Sequence, residues 1–375
     1  MEAPITLENL LKYMSATFVP PGAGVHTVHT AQDKRLKVQQ TLYASSVTEF
    51  KDEWMASVRK FFTDDSLGIY AICSDSGGGI QRGANWGPLA IREYLYTTEW
   101  ATAFSKSITD LGDVRVNPQL LMDEYLNEKT IGACRAAMYG DEKMDYPVSP
   151  LSIAEKFLES EHKLYPKKKL ILLGGDHSVA YPAVKEFIRA KRTQGKKPAV
   201  LHFDAHTDLL DQRLGIDVCF GSWVSHIIPE LASPEHLIQI GIRASGKTKD
   251  YWKATKKITQ YWSDEVSARG MQAVCDEISE KLKTEGIDSI YITFDIDALD
   301  AEEAGATGTP ERNGLSTQEC VEFIQCVGSR FSLDGADLME VAPFVSYGPT
   351  YSPEPITTLK NASKIIHAFV TAMKN

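Results

Sequence analysis

Eight short apolar runs punctuate the chain, and each is followed, after a turn, by a stretch of helical periodicity. The runs cover residues 67–73, 108–114, 169–175, 199–205, 237–243, 258–263, 289–295 and 336–343. Most are apolar on consecutive positions rather than on alternate ones, which predicts strands buried on both faces. Between and after them, segments such as residues 152–165, 180–193, 270–286, 317–330 and 362–374 carry apolar residues at helical spacing. Strand and helix in alternation predict an α/β chain: a three-layer α-β-α sandwich around a central, mainly parallel eight-stranded sheet. Residues 1–65 are more mixed, with a Pro/Gly break in "VPPGAG" and an amphipathic helix predicted over 47–62. They are expected to be an N-terminal extension packed on a main domain of residues 66–375.

Composition narrows the function. The 375 residues, 43% hydrophobic, suffice for one large core. Forty basic against fifty acidic residues leave a net charge of −10, spread along the chain, which argues against nucleic acid or an anionic membrane as a partner. A small molecule is the expected ligand. The six cysteines are scattered without a C-x-x-C pair, so they are expected to be reduced and partly buried, in keeping with a cytoplasmic protein. No run of about 18 apolar residues suggests a membrane span.

Four predicted strands end in acids or histidine. After "LILL" comes "GGDHS" with His177; after "VLHF" come Asp204, His206 and Asp208; after "YITF" come Asp295, Asp297 and Asp300; "DLMEVAP" contains Glu340. In open parallel sheets ligands lie beyond the carboxyl ends of the strands, where all four groups fall. Residues two apart on a strand point to one side, so Asp204 and His206, and Asp295 and Asp297, can converge. Carboxylates gathered in this way repel one another unless cations hold them. A cysteine-free His/Asp set suits manganese, magnesium, nickel or zinc, and six ligands suggest two ions rather than one. Alone, "DAHTD" or "GGDHS" also reads as a helix-capping turn; three acids at the end of a buried strand have no such explanation.

The ordered motifs "GGDHS", "FDAHTD", "FDIDALD" and "MEVAP" resemble those of the ureohydrolases, the arginase, agmatinase and formimidoylglutamase superfamily. "GIQRGANWGPLAIRE", "DLGDV" and "ATGTPERNGLS" are similar to further segments of that family, and the likeness runs from about residue 67 to 372. It implies an arginase-like fold and a two-manganese cluster, with nickel, cobalt or zinc as other occupants. His177, Asp204, His206, Asp208, Asp295 and Asp297 would be its ligands, Asp204 and Asp295 bridging. Asp208 would pass a proton to the leaving amine, and Glu340 would hold the guanidinium or amidine. Thr307, Arg243 and Lys247 are further expected substrate contacts. Trimers or hexamers are implied, with the N-terminal extension reaching a neighbouring subunit.

The chain departs from arginases at Leu210, where they carry asparagine, and at Ser245 and Gly246, where an acid is expected. Phe220 stands where a proton-shuttling histidine is usual, with His226 a weak substitute. An agmatinase-like guanidine hydrolase is therefore the first expectation. Lys247 and Lys249 keep a second one open: guanidino acids or formimino-glutamate, with free guanidine beside them. A catalytically inactive metal-binding scaffold is the rival of another class. Trp86 and Trp223 are expected either to wall the pocket or to pack in the core.

Overall fold

The computed structural model describes residues 5–25, 32–43, 50–98, 108–345 and 355–374. Part of the helix expected over 47–62 lies outside these residues; its described part is the helix Lys51–Phe61.

Nine strands form one sheet: β1 (Phe18–Val19), β2 (Leu67–Ile72), β3 (Ile108–Val114), β4 (Leu170–Gly174), β5 (Pro198–Phe203), β6 (Leu237–Ile242), β7 (Thr259–Trp262), β8 (Ser289–Asp295) and β9 (Leu333–Met339). Their spatial order is β1-β3-β2-β4-β9-β8-β5-β6-β7. Every pairing is parallel except β1 with β3, where Phe18 faces Val114 and Val19 faces Asp113. All eight expected strands are present. The expected count is corrected by β1, whose two residues are too few to leave a pattern and are held by their partner alone. The last strand also begins three residues earlier than expected, because Asp334 in "LDGADLM" is neutralised by Lys191 at 2.8 Å and so is tolerated inside the sheet.

Alternation along the strands explains the three layers. Ile69 and Ala71, Ile171 and Leu173, and Leu201 and Phe203 face one core, shared with the helices Gly87–Thr97, Met271–Thr284, Thr317–Arg330 and Pro355–Met373. Tyr70, Ile72, Leu170, Leu172 and Val200 face the other, shared with Leu7–Thr17, Lys51–Phe61, Pro150–Leu164 and Ala180–Thr193. The N-terminal segment thus contributes core side chains of its own: Met14, Phe18, Trp54 and Phe61 are buried. Helix Thr317–Arg330 starts with a reciprocal cap between Ser316 and Glu319. No helix among the described residues is long and apolar enough to cross a membrane.

One buried ion cluster joins helix Gly87–Thr97 to the sheet edge. Arg92 is fully buried and grips Asp110 with two bonds, Nε to Oδ2 and Nη2 to Oδ1, both 2.8 Å. It also donates to Asp113. Tyr96 Oη donates to Asp110 at 2.9 Å, and the Gly24 amide donates to Asp113 at 2.8 Å. Between the two acids the chain must pass beneath β1: a Cβ at Gly112 would stand 2.3 Å from the Val19 carbonyl, and its φ is +88°.

Removing the guanidinium would strand two buried carboxylates. Arg92→Leu is expected to lower the unfolding free energy by about 3–5 kcal/mol, read as a fall in the urea midpoint; a midpoint unchanged from wild type would refute the assignment.

Candidate metal centre

The carboxyl ends of β4, β9, β8 and β5 are neighbours in the middle of the sheet, and they deliver the four acidic motifs to one crevice. After β4 the chain turns at Gly174-Gly175. A Cβ on Gly175 would lie 1.7 Å from the Ser74 carbonyl, so only glycine allows this close crossing. Asp176 then caps the turn through the Ser178 amide, and His177 points inward, 1% exposed.

His177 Nδ1 is surrounded by carboxylate oxygens: Asp204 Oδ2 at 3.1 Å, Asp295 Oδ2 at 3.2 Å and Asp208 Oδ2 at 3.5 Å. His206 Nδ1 heads a second set, with Asp297 Oδ2 at 3.1 Å and Asp204 Oδ1 at 3.4 Å. Asp204 therefore gives one oxygen to each set. Asp295 presents Oδ2 to the first and accepts the Asp297 amide on Oδ1 at 2.9 Å. All six expected ligands are thus gathered in one place. Asp208 has φ +53°, a left-handed backbone that aims its carboxylate back at the cluster, where Trp223 Nε1 donates to it at 3.0 Å. Trp223 is a core residue that holds an acid, not a pocket wall; Trp86 packs edge-on against Phe344, ring centres 5.4 Å apart.

Beneath these groups runs a feature that the sequence reading missed. Asp337 of β9, Thr293 of β8, His202 of β5, Gln239 of β6 and Gln260 of β7 are paired neighbours in register, forming one polar row across five strands. All five are buried. Their hydrogen bonds run in a single consistent sense. Trp262 Nε1 donates to Gln260 Oε1 at 3.1 Å, and Gln260 Nε2 donates to Gln239 Oε1 at 2.7 Å. Gln239 Nε2 donates to His202 Nδ1 at 2.8 Å and to the Thr207 carbonyl at 2.7 Å. With Nδ1 accepting, His202 Nε2 carries the hydrogen and donates to Asp204 Oδ2 at 2.9 Å. Both ring nitrogens of His202 are occupied, so it positions Asp204 and is not itself a ligand.

On the other side Thr293 Oγ1 donates to Asp337 Oδ1 at 2.8 Å and accepts His177 Nε2–H at 3.0 Å. His177 Nδ1 is thereby turned to the cluster, where it makes no hydrogen bond. A buried nitrogen without a partner, amid three carboxylates, is the arrangement a divalent cation satisfies. The charges agree. Burial and the neighbouring Asp204 push the Asp208 carboxyl well above its usual range, and burial with Asp297 and Asp204 does the same to Asp295. Burial also raises Asp204, but His177, His202 and His206 outweigh it and hold that carboxyl well below the usual range.

Glu340 sits at φ +62° just past β9, with its amide bonded to the Gly175 carbonyl at 2.8 Å. Its Oε1 accepts the His177 amide at 2.9 Å, and Oε2 lies on the side of Gly308, 3.7 Å from where a Cβ there would be. The other expected substrate contacts are placed differently. Arg243 donates from every guanidinium nitrogen to carbonyls of Gly241, Asp297, Ala298, Leu299, Glu311 and Arg312, so it clamps the loop after β8 instead of presenting a free donor. Thr307 is fully buried; Thr309, two residues on, donates to Asp297 Oδ2 at 2.9 Å. Lys247 is exposed, its Nζ 5.2 Å from the Tyr251 ring. His226 Nε2 bonds the Asp211 carbonyl at 3.0 Å. Phe220 ties its loop to the Gly77 carbonyl, and the Arg213 guanidinium lies 5.0 Å from its ring centre.

Gln239→Leu removes the donor that fixes His202. Manganese affinity, measured by competition with a coloured chelator, is expected to fall about 10–100-fold with the far-UV spectrum unchanged; an unaltered affinity would show that the row only fills the core.

Comparison with known proteins agrees with this geometry. Residues 65–369 match the family model described as the arginase family. A guanidinobutyrase of Pseudomonas aeruginosa is 29% identical over 280 residues, 72% of this chain and 76% of that protein. A mitochondrial guanidino acid hydrolase of Homo sapiens is 31% identical over 280 residues, 72% of this chain and 69% of its own length. Among solved structures, formimidoylglutamase from Bacillus subtilis superposes with a TM-score of 0.63 at 22% identity, over 83% of this chain and 88% of that one. With eight of the nine strands of its mainly parallel sheet and all of its acidic strand ends inside the matched span, the chain belongs to the arginase family, whose members are hydrolases of amidine C–N bonds dependent on a binuclear metal centre.

Proposed function

We propose that the protein hydrolyses the guanidino C–N bond of a small linear substrate to urea and an amine, using two manganese ions held by His177, Asp204, His206, Asp208, Asp295 and Asp297. The observation that carries this reading is the sharing of Asp204 between two His/Asp sets, Oδ2 toward His177 and Oδ1 toward His206. Ions bound there would supply Lewis acidity, making a water acidic enough to attack a trigonal carbon near neutral pH. Manganese is favoured over nickel, cobalt or zinc by the oxygen-rich donor set.

The chain's own residues do the rest. Glu340, anchored by the His177 amide through Oε1, turns Oε2 toward the gap left by Gly308, where a planar amidinium can pair with it. Asp208, steadied by Trp223, lies at the cluster and carries the proton to the departing nitrogen. Phe220 takes no part in proton transfer, so Asp208 does this without a histidine relay.

An agmatinase-like substrate remains the first reading, consistent with agmatinases among the relatives. A specific observation supports guanidino acids as the second. Arg213 lies over Phe220 on the loop that follows Asp208 and has no carboxylate partner among the described residues. A cation so placed suits a substrate ending in a carboxylate. Assembly into trimers or hexamers belongs to the same proposal and is supported by the family likeness.

Urea release from the manganese-loaded protein, assayed on agmatine, 4-guanidinobutyrate, 3-guanidinopropionate, arginine and free guanidine, with formamide release from formimino-glutamate, tests the reading. One substrate should stand out, and Asp204→Asn should cut its turnover by at least about 100-fold. Should a guanidino acid prevail, Arg213→Ala should raise its KM with kcat little changed. Silence across the panel with metal bound would favour the non-catalytic scaffold.

A further inference from the structure

The helices Met271–Thr284 and Thr317–Arg330 lie side by side and share the core on one face of the sheet. Where they touch, Cys275 Sγ and Cys326 Sγ are 2.8 Å apart, across 51 positions of sequence. A disulfide bond is about 2.0 Å long, so less than about 1 Å of sulfur movement would close one. Both are free thiols; Cys275 is buried and Cys326 only partly so. Among the described residues, no residue of the metal centre is hydrogen-bonded to either sulfur.

The surroundings favour an ordered reaction. Arg330, one helical turn after Cys326, bonds Asp276 Oδ1 at 2.7 Å, so a guanidinium stands beside the sulfur pair. Burial and the adjoining Cys326 push the Cys275 thiol up to about 12. The less buried partner, Cys326, is therefore the one to meet a reagent first, and the buried one resolves.

We propose that Cys275 and Cys326 are a modification site, a reversible disulfide set by the thiol–disulfide balance around the protein. The oxidant is a low-molecular-weight disulfide of the glutathione class. Cys326 thiolate attacks one of its sulfurs; that S–S bond breaks, one half leaves as thiolate, and the other remains bound to Cys326. Cys275 gives up its proton and displaces the second half. Two protein thiols are thereby oxidised to one disulfide, and one small disulfide is reduced to two thiols.

The closed loop contains β8, Asp295, Asp297 and Thr309, so the bond would staple the unit that supplies one side of the metal centre. Because the sulfurs already touch, closure leaves the cluster in place and acts mainly on the unfolded chain. Oxidation then sets how long the enzyme survives, not how fast it turns over.

The experiment equilibrates the full-length protein with reduced and oxidised glutathione in graded ratios, alkylates free thiols and maps the peptides by mass spectrometry. The expected result is a Cys275–Cys326 cross-linked peptide that grows with the oxidised fraction and vanishes on reduction. The melting temperature should rise by about 5 °C. Cys326→Ser should abolish both changes, and Cys134→Ser, which removes another partly buried thiol, should abolish neither. Alkylation of both cysteines at every ratio, or glutathione remaining on Cys326 without displacement, would overturn the proposal. The wild-type peptide map decides the matter even if a variant fails to fold.

Discussion

The site depends on a row of polar side chains that crosses the sheet one residue deep, from Asp337 through Thr293, His202 and Gln239 to Gln260. Five buried polar groups in adjacent strands would be costly if any were left unpaired. They are tolerable because each donor finds an acceptor in register, and the order of donors allows only one tautomer at each histidine. His177 must turn Nδ1 to the crevice, and His202 must give its hydrogen to Asp204. The row therefore fixes the orientation of His177, a proposed metal ligand, on one side and of the shared carboxylate on the other.

Above that row the arrangement is electrostatically incomplete in the polypeptide alone. Asp204, Asp208, Asp295 and Asp297, all buried, crowd around two imidazoles, and burial raises two of these carboxyls while the histidines depress a third. Divalent cations would resolve that conflict, and the protein's part is to hold the acids close despite their repulsion. The backbone reflects the effort: Asp208 and Glu340, the two acids given chemical roles, both adopt left-handed φ values.

Much of this was legible in the sequence for a physical reason. Strands β2, β4, β5 and β8 are buried along their whole length, so they appear as largely apolar runs, and the acids and histidine that follow β4, β5 and β8 contradict that pattern visibly. The same-side rule that paired Asp204 with His206 also pairs His202 with Asp204, so His202 was within reach; its place inside an apolar run hid it. Gln239 and Gln260 were out of reach, because only strand register brings them to His202. Strand β1 escaped because two residues carry no period. Arg243 and Thr307 were expected at the substrate; their neighbours in space, the carbonyls of the loop after β8 and the buried bridge from Thr307 to Val341, are set by tertiary packing. The helix Gly87–Thr97 and "DLGDV" resembled family segments without an evident reason, and the Arg92 cluster supplies it.

Everything at the proposed metal centre turns on one aspartate, Asp204, facing two His/Asp sets. Electron paramagnetic resonance of the manganese-loaded protein, with metal content measured on the same sample, addresses it most directly. Two ions per chain and the spectrum of an exchange-coupled pair are expected. A single ion per chain, or two ions with the spectra of isolated manganese, would contradict the shared role of Asp204.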